Sequence, residues 1–187
     1  MILPHRMRSS CQMWRQSSRS KQPAKKFTSA QEAYNCALDL LSYRDYSNQK
    51  MLERLQQKGA DAEQARESVQ KLESYGLLDE QRYAHRVYEV WLGKGCYGRQ
   101  HLQAELAKRG IRAEIAAEIL SEFTPEEEEQ HAQRAAELFC QRNRRRLTQE
   151  ADKKKIYAAA GRFMAARGFS ARYVHIILNR LHFSDDM

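Results

Sequence analysis

Residues 79–110, DEQRYAHRVYEVWLGKGCYGRQHLQAELAKRG, decide how the rest of the chain is read. Asp79 is a residue type suited to capping a helix. Tyr83, Ala84, Val87, Tyr88 and Trp91 then recur at the spacing of one helix face. A glycine-rich break from Gly93 to Gly98 follows, and a second helix carries Leu102 and Leu106 before Gly110 stops it. The stop is written three times: Leu55-Gln56-Gln57-Lys58-Gly59, Leu106-Ala107-Lys108-Arg109-Gly110 and Met164-Ala165-Ala166-Arg167-Gly168.

Working outward, the same unit appears on both sides. Upstream, Ala30, Ala33, Tyr34, Ala37, Leu38 and Leu41 make one apolar face, and Tyr43-Arg44-Asp45-Tyr46 interrupts it. Ser47 can cap a second helix with Met51, Leu52 and Leu55, and Asp61 a third with Ala65, Val69 and Leu72. Tyr46 matches Tyr97, Met51 matches Leu102, Leu55 matches Leu106 and Val69 matches Leu120, each 51 positions on. Downstream, Thr124-Pro125-Glu126-Glu127 has the order of a helix start, with proline at the first helical position and glutamate three after the cap. A basic run at Arg142–Arg146 is expected to break that helix. Ile156, Ala160, Phe163 and Met164 lead to the third stop, and Ser170 is expected to cap a last helix with Tyr173, Val174, Ile177, Leu178 and Leu181. Each copy is too small to bury a core well alone, so neighbours should pack on one another.

The expectation is an all-α protein, an elongated array of three tandem three-helix repeats. A basic tail occupies residues 1–27 and the repeats 28–78, 79–124 and 125–187. Only 8 glycines and 3 prolines in 187 residues agree with long helices. No stretch approaches the roughly 20 apolar residues of a membrane span. Four scattered cysteines without CxxC spacing point to a reducing, cytoplasmic setting. The net charge is +8, but residues 1–26 hold seven cations and no acid, which leaves the rest at +1. The overall charge therefore reports mostly that tail. The tail's composition predicts disorder; a transit peptide, or a start at Met7 or Met13, would leave the same trace.

Catalytic chemistry finds little footing. Gly93-Lys94-Gly95-Cys96-Tyr97-Gly98 satisfies GxGxxG literally, yet that signature needs a preceding strand, and here a helix precedes it. Glu126–Glu129 suits the dipole of a helix's first turn and its four carboxylates diverge, so it predicts no metal site. His101 after Cys96 lacks a second ligand pair, and HExxH, GxSxG and P-loop patterns are missing. No catalytic residue, metal or cofactor is expected. What remains is basic surface. Arg82 and Arg86 precede the break, Lys94 and Arg99 flank it, Lys108, Arg109 and Arg112 follow, and Arg162, Arg167, Arg172 and Arg180 make the third copy positive. A row of cations at each helix junction could track a phosphate backbone or meet an acidic protein face.

The chain resembles the RecX family of recombinase regulators. The resemblance is carried by ALDLLSYRDYSNQKMLERLQQKG, GLLDEQRYA, GKGCYGRQHLQAELAKRGI and RFMAARGFS, in order, over about residues 30–182. It departs from the family pattern at the hinge: Cys96 is an extra residue, Arg99 stands where proline is common, and Trp91 and His101 where arginines are common. The resemblance implies a non-enzymatic regulator that binds RecA filaments on single-stranded DNA and mainly inhibits their assembly, strand exchange and ATPase activity. It also implies non-specific DNA binding, duplex included; a monomer is expected. Arg86, Lys94, Arg99, Lys108, Arg109 and Arg167 are the expected contacts to recombinase or DNA. The rival reading is a stand-alone helix-turn-helix transcription module. It would need base-reading side chains on one exposed helix face, where these helices offer mostly Ala, Glu, Lys and Leu.

Overall fold

A computed structural model describes residues 26–147 and 153–176. Those residues form helices without a strand: α1 (Ala30–Tyr43), α2 (Asn48–Lys58), α3 (Ala62–Ser74), α4 (Glu80–Leu92), α5 (Arg99–Lys108), α6 (Ala113–Glu122), α7 (Pro125–Leu147) and α8 (Lys153–Ala165). A 3-10 turn at Ala171–Tyr173 then leads into helical residues 174–176. The chain is an array of three tandem three-helix repeats. No helix among the described residues is long and apolar enough to cross a membrane.

Local chemistry sets most of the boundaries. The Ser47 hydroxyl accepts from the Lys50 amide at 3.2 Å and the Asp79 carboxylate from the Arg82 amide at 2.9 Å, each satisfying an amide that the helix leaves without a partner. Asp61 with Gln64 and Thr124 with Glu127 form reciprocal capping boxes. The three stop glycines all adopt left-handed backbone, with φ of 117° at Gly59, 69° at Gly110 and 76° at Gly168.

Each repeat closes its own core. Met51 and Leu55 in the first, Leu102 and Leu106 in the second, and Ala160 and Met164 in the third are fully buried at equivalent positions. Burying a side chain such as leucine stabilises by roughly 1.5–3 kcal/mol, so this shared column of apolar residues holds each helix triplet. The second core is built around Trp91, whose ring meets Phe123 edge-on at 5.0 Å. Phe27 packs against the first core and donates its amide to the Gly59 carbonyl at 3.0 Å.

Two expected local features differ in the structure. α7 runs straight through Arg142–Arg146 to Leu147. Arginine is a good helix former, and Asn143 is accommodated by bonding back to the Phe139 carbonyl at 2.8 Å. Ser170 precedes the last turn but makes no side-chain cap; its hydroxyl is buried without a protein partner, and its carbonyl takes the Tyr173 amide. Residues 1–25 of the expected tail, and Ile177, Leu178 and Leu181 of the last helix, lie outside the described residues.

The repeats are joined by one device used twice. The Ser47 hydroxyl, at the start of α2, donates to the Arg109 carbonyl at 2.7 Å. At the equivalent place in the second repeat, the amides of Gly98 and Gln100 donate to the carbonyls of Arg167 and Gly168 at 2.9 and 3.2 Å. In both cases the basic-residue-glycine turn of one repeat sits on the first turn of the preceding repeat's middle helix. The approach at the second joint is very close: a Cβ on Gly168 would lie 2.2 Å from the His101 amide nitrogen.

Gly168→Ala should therefore cost about 2 kcal/mol or more, because a left-handed alanine is penalised by about 1–2 kcal/mol and the contact adds overpacking. Gly161→Ala, inside α8 with open space around it, should be neutral or stabilising by up to about 1 kcal/mol. Urea midpoints of the two variants measure the contrast; equal midpoints would refute the close approach.

Candidate functional site

The basic residues gather at the two joints. At the first, α4 ion-pairs with the linker ahead of α2 through Arg86 and Asp45 at 2.8 Å, both side chains close to half exposed. Exposed pairs of this kind contribute roughly 0–1 kcal/mol. Beside it opens a cleft of about 460 Å³. Arg44, Lys50 and Arg54 line it from the first repeat, Tyr83, Lys108 and Arg109 from the second. Arg109 holds Glu105 through two nitrogens at 2.9 and 2.8 Å and donates to the Tyr83 hydroxyl at 3.2 Å. Burial opposes the charge on Glu105, but the bonds and charge of Arg109 outweigh it and hold the carboxyl below its ordinary value. Lys108 is exposed at the rim.

The second joint surrounds the glycine-rich break. The Arg99 guanidinium donates to the carbonyl of Leu120 at 2.6 Å and to that of Phe123, completing the end of α6. Its amide donates to Glu128 at 2.9 Å. Glu128 is 5% exposed, and its other oxygen accepts from the Tyr173 hydroxyl at 3.2 Å with Arg172 at 3.6 Å. One carboxylate on α7 thus ties the start of α5 to the last turn of the third repeat. Arg167 lies over the Phe163 ring at 3.6 Å and also near Tyr97 at 5.9 Å, a cation–π arrangement. Lys94 is exposed, 5.8 Å from the Tyr97 ring.

The six expected contact residues thus divide by environment. Arg86, Lys94 and Lys108 are exposed, whereas Arg99, Arg109 and Arg167 are half-buried and engaged with carbonyls, a carboxylate or rings. Arg86, Lys108 and Arg109 come together at the first joint, and Lys94, Arg99 and Arg167 at the second. Among the described residues no three His, Cys, Asp or Glu side chains are grouped so as to hold a metal ion.

Sequence reasoning missed several participants. The Arg44, Lys50 and Arg54 wall lies in a stretch read only for its helix break and its apolar face. Glu128 was one of four acids assigned to a helix dipole. The only signal for it is general: the first amides of any helix need acceptors from outside it, and Gly98 offers no side chain at the start of α5. Glu80 is comparable; 4% exposed, it receives the Arg112 amide at 3.2 Å and the guanidinium at 2.7 Å. Trp91 and His101, the two hinge positions that lack the pattern's arginines, bond to each other: the indole N–H donates to His101 Nδ1 at 3.0 Å.

Comparisons with known proteins agree with the fold. A family model described as RecX, first three-helix domain, matches residues 33–72. The regulatory protein RecX of Trichlorobacter lovleyi is 32% identical over 149 residues, covering 80% of this chain and 95% of that protein. The regulatory protein RecX of Chromohalobacter salexigens is 29% identical over 138 residues, covering 74% and 85%. The crystal structure of RecX from Lactobacillus salivarius has the same fold, with a TM-score of 0.68 at 20% identity over 82% of this chain and 97% of that one.

The Trp91–His101 bond has a consequence for pH. Nδ1 accepts, so the imidazole is neutral, and burial pushes its pKa below the ordinary 6.5. The folded state then binds fewer protons than the unfolded one. Stability from this pair is complete above about pH 6.5 and is lost as pH falls through the depressed folded value. Thermal unfolding at pH 7.5 and pH 5 should show a drop in melting temperature that is smaller in His101→Gln, which keeps an acceptor without titrating. An equal drop in both proteins would exclude His101 as its source.

Proposed function

The chain belongs to the RecX family of regulatory proteins, and on that premise we propose that it binds RecA recombinase filaments on single-stranded DNA and restrains their assembly, strand exchange and ATPase activity. It acts in the cytoplasm as a monomer, without catalysis of its own. The observation that supports this reading best is the placement of exposed cations at both joints. Lys108 at one and Lys94 at the other, with Arg86 paired to Asp45 beside Lys108, present positive charge along an array of repeats, which suits an extended, repeating, negatively charged target. The half-buried Arg99, Arg109 and Arg167 shape the joints and contribute field more than direct contact.

The transcription-module alternative fits less well. A recognition helix leads with its N-terminal turn into the major groove. Here the first turn of α5 lies under the Arg167-Gly168 turn of the third repeat, and that of α2 under Arg109 of the second. Groups so covered do not reach base edges.

The test is the DNA-dependent ATPase of a bacterial RecA on circular single-stranded DNA, with this protein added far below one copy per recombinase. Inhibition at that ratio is the expected result. Lys94→Glu with Lys108→Glu should require about tenfold more protein for the same effect, having lost two ionic contacts, with helical content unchanged. No inhibition by the unaltered chain would overturn the reading. Full inhibition by the folded double variant would remove those two lysines from it.

A further inference from the structure

The cleft at the first joint is built from two repeats that barely hold each other directly. Across it run the Ser47 bond to the Arg109 carbonyl and the exposed Arg86–Asp45 pair. The second joint has two backbone bonds, the buried Glu128 and the covering third core. The first is thus the weaker joint, and it is the one that opens into a cationic cleft.

The charges in that cleft are unevenly matched. Its lining holds five cations and two carboxylates. Both carboxylates already have partners, Glu105 on Arg109 and Asp45 on Arg86. Lys50 pairs with the half-buried Glu53 at 2.7 Å. Arg54 is bonded to a neutral amide, that of Gln57, and Arg44 lies over the Tyr46 ring at 4.6 Å. Lys108 faces them from the other wall. An occupant carrying negative charge would meet cations from both repeats at once.

Shape selects among anionic occupants. At about 460 Å³ the cleft has the size of a small-ligand pocket, and it is open on one side. A duplex presents its phosphates on a stiff, wide cylinder, and a folded protein presents its acids on a convex surface. A single strand is thin and flexible, and each nucleotide brings one phosphate. We propose that the cleft between the first two repeats seats a backbone phosphate of a single nucleic-acid strand, and that the strand, by touching both walls, fixes the angle between those repeats. This deepens the single-strand contact proposed above and rests on it for the class of ligand. A ligand bridging both walls binds one joint angle better than others, so binding narrows the range of angles in proportion to that preference.

The probe is a short oligothymidylate, with a duplex of the same length as competitor. Binding is read by fluorescence anisotropy across a salt series. Joint angle is read as the distance distribution between spin labels on Glu67→Cys in α3 and Glu114→Cys in α6, with the native cysteines replaced by serine. The oligothymidylate should bind in preference to the duplex and narrow the distribution. Arg44→Gln with Arg54→Gln, both exposed and neither bonded to a carboxylate, should weaken binding by about tenfold, lower the slope of log affinity against log salt by about 0.7, and abolish the narrowing. Unchanged affinity in the folded double variant, equal or better duplex binding, or a distribution that does not narrow would overturn the proposal. So would a variant that keeps the oligonucleotide but no longer docks on recombinase filaments, since the cleft would then serve an acidic protein face. If the cleft fails while recombinase inhibition persists, the functional reading stands without it. If the strand binds as expected but inhibition is absent, the cleft stands and the functional reading falls.

Discussion

The arrangement of the array depends on a carbonyl meeting the first turn of a helix. A helix begins with amides that its own backbone cannot satisfy, and its N-terminal end carries partial positive charge. The left-handed glycine at the end of each second and third repeat's middle helix turns the preceding carbonyl outward, toward that end of the neighbour. Where the first turn starts with serine, the hydroxyl supplies the donor; where it starts with glycine, the backbone amide does so directly. At the first joint the two cores are separate, so a few polar bonds set how those repeats lie on each other; at the second, His131 of α7 also packs on Trp91 and Phe123 at 5.5 and 5.2 Å.

Substituting glycine for serine at this position changes the whole second joint. Without the side chain, Gly98 lets the turn of the third repeat come closer, with a virtual Cβ only 2.6 Å from the Gly168 carbonyl oxygen. The amide of Arg99, one of the first-turn amides that a helix cannot satisfy itself, finds its acceptor in Glu128 of α7. Burying that carboxylate is tolerable because two donors and the Arg172 charge surround it; an unpaired charge there would cost several kcal/mol. The Trp91–His101 bond lies beside this same joint.

Arginine and lysine play different parts at the two joints, and exposure separates them. Arg99 closes the carbonyl end of α6, Arg109 holds Glu105, and Arg167 lies flat on Phe163, each using the planar, always-charged guanidinium as a structural fork. The lysines at positions 94 and 108 hold no such role and reach solvent. Lysine's mobile, strongly hydrated ammonium is suited to a charge that must remain available to a partner.

The sequence by itself determined the helices, their caps, the repeat and the column of buried residues, because these follow from interactions within a few positions of one another. Asp61, Asp79 and Thr124 cap where their spacing says they should, and Met51, Leu102 and Ala160 are buried as the register demands. It also indicated that the cations cluster near the stop glycines. Only the tertiary structure decided which of them face outward, that Arg44 and Arg54 share a cleft with Lys108, and that Glu128 is a buried tie. Those outcomes rest on groups up to 64 positions apart meeting across a joint. A pattern of nearest neighbours along the chain carries no record of such a meeting.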